Sequence, residues 1–284
     1  MFVSDNLLKT AQSYFNGQLQ GFYSEMACKQ MWQQILEKRF DWTHSDLLLK
    51  QQERLSESDL LYIRSFVKRL QANEPFQYII GETFFADLRL KTDPRALIPR
   101  PETEELVALV KAQGLIYSNI IDFCTGSACI ALALKKYYPA AQVSALDLSE
   151  GAIELARENA QLNNLEILAM LEDIFAWQST EQFDLIVSNP PYIPQKETVL
   201  MQANVLEHEP HMALFVPDQT PLLFYERLAQ IAISNLQTSG IMMLEVHENL
   251  AQQTLFLFAA EHFSRKEIHR DLQGKERMIL VQKA

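Results

Sequence analysis

The fold is decided by the stretch Ile120-Ile121-Asp122-Phe123-Cys124-Thr125-Gly126-Ser127-Ala128. Its apolar beginning predicts a buried strand, and the small residues from Cys124 to Ala128 predict a tight turn. A helix is predicted next, over residues 127–138, and Pro139 stops it because proline cannot continue a helix. A strand, a tight turn and a helix in this order form the unit from which parallel sheets are built.

The same alternation continues to the end of the chain. Further strands are predicted at 143–146, 167–170, 183–187 and 241–246, with helices at 149–162, 221–236 and 250–262. Two short strands at 266–269 and 278–281 predict an antiparallel hairpin. We therefore expect an α/β fold with an open, mostly parallel, Rossmann-like sheet, helices on both faces and the C-terminal hairpin at one edge.

The N-terminal part of the chain has a purely helical pattern. Ser4 and Ser24 stand where N-caps belong, and Ser56-Glu57-Ser58-Asp59 resembles a capping box. One apolar face repeats at helical spacing, and it is formed by Cys28, Met31, Trp32, Ile35 and Leu36. We expect a small helical bundle over residues 1–75, a hairpin or extended connector over 76–98, and the α/β domain over 99–284.

Composition excludes several classes of protein. Of the 284 residues, 48% are hydrophobic and 21% charged, which is typical of a globular protein. There is neither a long apolar run nor, in the first five residues, a signal-peptide pattern, so we expect a cytoplasmic protein without membrane segments. Three scattered cysteines do not suit a disulfide framework or a zinc site.

The net charge of −11 argues against nonspecific binding to nucleic acid. Residues 1–75 contain nine basic and nine acidic residues, so the remainder of the chain carries all of this charge.

A second distinctive stretch, Ser188-Asn189-Pro190-Pro191-Tyr192-Ile193-Pro194, follows the strand at 183–187. Two prolines cannot continue a hydrogen-bonded ladder, so the chain must turn outward there. The side-chain oxygen of Asn189 and the carbonyl of Pro190 are acceptors, and Tyr192 offers a flat face. This corner, residues 189–192, suits a planar, conjugated amino group. A plain proline turn beside a core tyrosine is the alternative interpretation.

Three further features follow predicted strands, at the edge of the sheet where such folds bind ligands. The small turn of Cys124, Thr125, Gly126, Ser127 and Ala128 lets backbone approach a ligand. Asp147, placed 21 residues after Gly126, can accept both hydroxyls of a ribose. Asp173 can accept from the amino edge of an adenine, and Ile174 can cover its face. Each feature alone also has an ordinary structural explanation in packing or helix capping.

Together these features resemble class I S-adenosylmethionine-dependent methyltransferases that act on conjugated nitrogen. Within this class, the chain most specifically resembles the HemK/PrmC family, and the resemblance covers essentially the whole chain. It rests on the corner and on three further motifs: Gln77-Tyr78-Ile79-Ile80-Gly81, Ile98-Pro99-Arg100-Pro101-Glu102-Thr103-Glu104 and Asp271-Leu272-Gln273-Gly274-Lys275-Glu276-Arg277. Members of that family methylate the N5 nitrogen of a glutamine in peptide chain release factors.

The resemblance implies S-adenosylmethionine as cofactor, with S-adenosylhomocysteine as its product, and no metal. It implies a release factor as partner, whose body we expect the bundle of residues 1–75 to hold, and we expect a monomer. Asn189 and Pro190 are expected to stabilise charge on the reacting nitrogen, and Asn189 also to contact the reacting end of the cofactor. Pro191 and Tyr192 are expected to hold the amide plane. We expect no dedicated general base.

The chain departs from the family at two positions. The family usually has glycine at the place of Ala128 and often at that of Cys124, and we expect Ala128 to require a negative φ. Thr103 is expected to cap the helix that follows it. Two other functions stay open: a methyltransferase for the exocyclic amine of adenine or guanine in nucleic acid, and a binding module without catalysis.

Overall fold

The computed structural model describes residues 3–284, which form two compact units. The first unit consists of residues 3–80 together with Ala203–His208. The second consists of Gly81–Gln202 and Glu209–Ala284. No helix in the described range is long and apolar enough to cross a membrane.

The first unit is helical, as the sequence predicts. Its helices are α1 (Leu8–Leu19), α2 (Glu25–Phe40), α3 (His44–Leu49), α4 (Glu57–Gln71) and α5 (Phe76–Ile80), joined by α9 (Ala203–His208) from later in the chain. The predicted apolar face of α2 is buried at all five positions. Helix α9 contacts this unit through His208, whose Nε2 lies 3.2 Å from the carbonyl oxygen of Ala72. The sequence did not predict this contact, because no local pattern links residues so far apart in the chain.

Of the three caps predicted in the first unit, two are correct. The hydroxyl of Ser24 accepts from the N–H of Ala27 at 3.2 Å, and Ser56 forms a capping box with Asp59. The prediction for Ser4 is wrong, because α1 begins only at Leu8. Its first donors are satisfied by the carbonyls of residues 51 and 53 rather than by a side chain.

The connector predicted around Gln77 is partly wrong. Residues 76–80 form α5, and Gly81, at φ 77°, follows it. The hairpin lies just beyond, between β1 (Glu82–Phe85) and β2 (Leu88–Lys91). Its two turn residues, Ala86 and Asp87, have φ of 46° and 61°, the left-handed conformation that tight hairpin turns require.

The second unit contains the predicted α/β sheet of seven strands. Five are parallel: β3 (Asn119–Phe123), β4 (Gln142–Asp147), β5 (Leu168–Leu171), β6 (Phe183–Ser188) and β9 (Leu236–Glu245). The last two, β10 (Phe263–Arg270) and β11 (Glu276–Lys283), pair antiparallel at one edge. The strand order is β10-β11-β9-β6-β3-β4-β5, and β7 (Ile193–Pro194) pairs separately with β8 (Phe215–Val216). The predicted fold class is therefore confirmed.

Helices cover both faces of this sheet because its strands are apolar on both faces. Ile120 and Met243 face the core beneath α6 (Pro101–Ala112), α7 (Cys129–Tyr137) and α8 (Glu150–Leu162). Ile121 and Met242 face the opposite core beneath α10 (Leu223–Asn235) and α11 (Ala251–Phe256). The helix predicted at 250–262 is shorter than expected, since α11 ends at Phe256. The order in which successive strands join the sheet reverses between β3 and β6, because β4 and β5 lie on one side of β3 and β6 lies on the other. At this switch point Phe123 pairs with Ser188.

Candidate active site

A cavity of about 200 Å³ lies in the second unit, at the carboxyl ends of the strands next to this switch. Most predicted site residues line it: Cys124, Thr125, Gly126, Ser127, Asp147, Asp173, Ile174, Asn189 and Pro191. Ala128, Pro190 and Tyr192 are not among the lining residues. The fold therefore brings three predicted strand-end features and the corner to one place, as expected for a doubly wound sheet.

The loop of residues 124–128 takes a shape that the sequence analysis did not predict. Cys124, Gly126 and Ala128 have φ of 57°, 54° and 61°, so the negative φ expected for Ala128 is wrong. Ala128 stands at the N-cap of α7 and is fully buried; its N–H donates to the carbonyl of Thr125 at 2.9 Å. Tertiary contacts thus hold two non-glycine residues in the left-handed region, which costs about 1–2 kcal/mol for each.

Two carboxylates hold this loop. The hydroxyl of Thr125 donates to Asp122 Oδ2 at 2.5 Å, and the N–H of Gly126 donates to Asp147 Oδ2 at 2.8 Å. The other oxygen of Asp147 accepts from the N–H of Ser149 at 2.9 Å. Burial raises the pKa of Asp147, while these N–H groups act to lower it. Asp147 therefore shapes the loop as well as facing the cavity.

Asp122 was not proposed as a site residue. It is fully buried, and within residues 3–284 its Oδ1 atom has no hydrogen-bond partner. Burial, above all, raises the pKa of this carboxyl to about 7, against the opposing effect of the Thr125 hydrogen bond.

The segment predicted to recognise adenine is held from α10. Arg227 Nε donates to the carbonyl of Ile174 at 2.8 Å, and the same guanidinium also donates to the carbonyl of Trp177. Phe175 packs against Phe224, with ring centroids 5.1 Å apart, and both rings line the cavity. Arg227 and Phe224 lie about fifty positions after this segment, so local sequence patterns do not reveal them.

The corner is anchored by a chain of hydrogen bonds. Asn189 Nδ2 donates to the hydroxyl of Thr103 at 3.1 Å, and this hydroxyl donates to Glu245 Oε2 at 2.7 Å. The phenol of Tyr192 donates to Glu245 Oε1 at 3.0 Å. The capping role expected for Thr103 is wrong: Arg100 is the N-cap of α6 and Pro101 follows it, so the Thr103 side chain is available for Glu245.

Glu245 was missed entirely. It is the last residue of β9, its exposure is 2%, and it follows four buried apolar residues, 241–244. A carboxylate that directly follows a run of apolar residues at the end of a parallel strand is the signal that could have indicated it. Burial raises the pKa of Glu245, and hydrogen bonds from Thr103 and Tyr192 act against that increase.

One further wall of the cavity comes from residues 95–100 and from Pro210, Met212 and Ala213. Buried Glu209 joins these segments: its carboxylate accepts from Arg100 Nη2 at 2.6 Å and from the N–H of Ile98 at 3.2 Å. Within the described part of the chain, no three His, Cys, Asp or Glu side chains are grouped so that they could hold a metal ion.

Comparison with known proteins agrees with this architecture. A methyltransferase from Pyrococcus furiosus of known crystal structure has a similar fold, with a TM-score of 0.53 and 19% identity, covering 76% of this chain and 98% of that one. Residues 102–214 match the family described as methyltransferase small domain, and residues 10–81 match the PrmC N-terminal domain. The sheet order and its ligand cavity define the class, that of the class I S-adenosylmethionine-dependent methyltransferases.

Comparison with curated relatives identifies the family within this class. A release factor glutamine methyltransferase from Flavobacterium psychrophilum is 37% identical over 281 residues, which cover 97% of this chain and 99% of that protein. Another from Streptococcus pneumoniae is 42% identical, covering 81% of this chain and 83% of that protein. The chain belongs to the release factor glutamine methyltransferase family.

Proposed function

We propose that this protein transfers a methyl group from S-adenosylmethionine to the side-chain amide nitrogen of the glutamine in the Gly-Gly-Gln loop of a peptide chain release factor. The observation that carries the proposal is that one cavity is lined both by the acceptors for the cofactor, Asp147 and Asp173, and by Asn189 of the corner. Family membership supports the choice of substrate.

The residues present suit the cofactor. Gly126 leaves the loop free of a side chain at the cavity, where an added Cβ would have only the Ala96 methyl within 4 Å, at 3.8 Å. Asp147 would accept from the ribose hydroxyls, since a carboxylate oxygen that already accepts from a backbone N–H can accept more than one hydrogen bond. Asp173 and Ile174 would hold the adenine. When bound, the cofactor supplies an electrophilic methyl group on a sulfonium.

The corner residues then act on the substrate amide. Its nitrogen is a weak nucleophile, because the lone pair is delocalised into the carbonyl. As the new C–N bond forms and the C–S bond breaks, positive charge grows on that nitrogen. Oδ1 of Asn189, which lines the cavity, would accept one of its N–H groups, and an acceptor that is fixed in advance stabilises this charge. The carbonyl of Pro190, which is not among the groups that line the cavity, is the second acceptor that we propose. The methylated nitrogen is strongly acidic, so its proton leaves to solvent without a dedicated base.

For the release factor we propose a division of roles between the two units. The helical region of residues 1–75, with nine basic and nine acidic residues, would hold the body of the factor, while the acidic unit receives the loop. The first unit exposes several large apolar side chains that suit protein binding: Phe22, Met26, Leu48, Leu49 and Leu61. We retain the predictions of a cytoplasmic monomer that does not bind nucleic acid.

This division of roles is tested by substitutions on the helical unit. Leu49→Glu should raise KM for an intact release factor, by about tenfold if Leu49 is a central contact, because a charge would then be buried in the interface. KM for a short Gly-Gly-Gln peptide should not change. An equal KM for the intact factor in the variant and the wild type would remove Leu49 from the interface, and equal values in Phe22→Glu as well would argue against the proposed role of this unit.

The function itself is tested by mass spectrometry. The protein is incubated with S-adenosylmethionine and a release factor, and the tryptic peptide containing the Gly-Gly-Gln loop is analysed. We expect the mass of one methyl group on the glutamine, and none in a release factor whose glutamine is replaced by alanine. A parallel reaction with total RNA and with DNA tests the exocyclic amine of adenine or guanine. Methyl transfer to nucleic acid but not to the glutamine would refute the proposal.

A further inference from the structure

Glu245 is a buried carboxylate to which the proposed chemistry gives no role. It contacts no cavity surface itself, yet both of its oxygens accept from groups that belong to the corner or support it: Thr103 at 2.7 Å and Tyr192 at 3.0 Å. Burying an ionised carboxylate costs free energy, and a well-packed apolar residue would serve stability as well or better. Its position therefore calls for an explanation beyond stability.

The direction of the hydrogen bonds provides one. The Thr103 hydroxyl donates to Glu245 Oε2, and a hydroxyl has a single proton, so this proton is committed to Glu245. The oxygen of Thr103 can then only accept from Asn189, and the Nδ2 atom of Asn189, 3.1 Å away, must face it. The acceptor of the same amide, Oδ1, is consequently left for the cavity, which both Thr103 and Asn189 line.

We infer that Glu245 is a positioning residue, which acts through Thr103 to orient the Asn189 amide so that an acceptor, not a donor, faces the substrate nitrogen. This inference rests on the proposed function, since it concerns the same amide substrate. The opposite orientation of Asn189 would point its N–H groups at those of the substrate, and the growing positive charge would lose its acceptor. Through Tyr192, the same carboxylate also fixes the second side chain of the corner.

Burial disfavours the ionised form of Glu245 and raises its pKa, and the charged and polar groups around it also act on that pKa. Arg277 of β11 supplies a nearby positive charge, and Thr103 and Tyr192 donate to the carboxylate, while Glu102 at the start of α6 opposes ionisation. The phenol of Tyr225, on α10, donates to the main-chain carbonyl of Glu245 at 3.1 Å and so holds the backbone of this residue in place. If Glu245 were protonated, it could donate to Thr103, and the direction of the whole chain of hydrogen bonds could reverse.

The test compares Thr103→Val, which keeps the shape but removes the hydroxyl, with Thr103→Ser, which keeps the hydroxyl. For Thr103→Val we expect kcat for release factor methylation to fall by about 10- to 100-fold, less than the complete loss of a preorganised contact would cause. KM for the release factor and the Kd for S-adenosylmethionine should change little. Thr103→Ser should recover most of the kcat. A normal kcat in Thr103→Val, or a Thr103→Ser variant that is equally slow, would overturn the inference.

Glu245→Gln provides a second and independent test. A glutamine can place its NH2 group towards Thr103, which allows the chain of hydrogen bonds to reverse, so kcat should again fall while the Kd for the cofactor stays the same. If Thr103→Val does not fold, the kcat of Glu245→Gln alone tests the inference. A normal kcat in Glu245→Gln would overturn the inference, and so would loss of the folded state in both variants, because the pair would then be structural.

A readout that does not depend on turnover separates this inference from the proposed function. In ¹H–¹⁵N spectra the side-chain NH2 signals of Asn189 can be identified by their absence in Asn189→Asp. We expect them to shift in Thr103→Val and not in Thr103→Ser, with or without a substrate. Unchanged signals in Thr103→Val would overturn the inference even if the wild type methylates release factors. Failure of the wild type to methylate glutamine, together with the expected shift, would overturn only the proposed function.

Discussion

Replacing Asp147 by alanine should weaken the binding of S-adenosylmethionine through two effects. The first is direct: two ribose hydroxyls lose an ionised acceptor, which costs about 2–3 kcal/mol. At 1.4 kcal/mol for each factor of ten, the Kd should rise by about 30- to 150-fold.

The second effect passes through the loop of residues 124–128. Asp147 accepts from the N–H of Gly126 at 2.8 Å and from that of Ser149 at 2.9 Å, and both bonds are lost in the variant. Three residues of the loop have positive φ, so the loop that is no longer held must be ordered again when the cofactor binds. The loss of affinity should therefore lie at the upper end of that range. Asp147→Asn retains one acceptor oxygen and should fall between the wild type and Asp147→Ala.

Isothermal titration calorimetry with the cofactor measures these changes. Glu150→Ala is the matched control, because Glu150 is an exposed acid in the first turn of α8 that does not line the cavity. The control should bind the cofactor almost normally. Burial raises the pKa of Asp147, so removal of its carboxylate also relieves a desolvation cost, and the free energy of unfolding should change less than that of binding. Wild-type affinity in Asp147→Ala would refute the role of this carboxylate. An equal loss in Glu150→Ala would mean that net charge, not hydrogen bonding, is responsible.

Three other predictions follow from the site. Asn189→Ala should lower kcat by about 10²–10³ with a much smaller change in the cofactor Kd; near-normal single-turnover rates would make the corner a plain structural turn. Tyr192→Phe keeps the aromatic ring, so its effect on kcat should be mild. It should lower the free energy of unfolding by about 1–3 kcal/mol, because Glu245 Oε1 loses its donor; an unchanged urea midpoint would contradict that hydrogen bond. The pKa of Asp122 is about 7 in the fold against an ordinary 3.8, so the folded state binds the extra proton and the contribution of this group to stability falls as the pH rises from about 4 to 7. Asp122→Asn resembles the protonated acid and should lose that dependence, and urea unfolding curves of equal pH dependence for variant and wild type would rule this out.

The sequence by itself determined the class of fold and most of the cavity. Apolar runs such as 120–123 and 183–187 predict strands because hydrophobic periodicity is a local property of the chain. The parallel arrangement places the carboxyl ends of these strands at one edge of the sheet, so the sequence alone predicts that Asp147, Asp173 and Asn189 lie together. The same reasoning predicted the Ser24 and Ser56 caps, which depend on residues within one helical turn.

Only the tertiary structure decided the connections that run across the fold. Thr103 and Glu245 are 142 positions apart, Arg100 and Glu209 are 109 apart, and no local pattern links either pair. The local sequence predicts that Thr103 caps a helix, yet in the packed structure its hydroxyl donates to the buried carboxylate of Glu245 on β9 instead. Ala128 shows the same principle in the backbone: its intrinsic preference is for negative φ, but its burial and its place at the start of α7 hold it at 61°. Local preferences amount to about 1–2 kcal/mol, and the contacts of a packed core can override them.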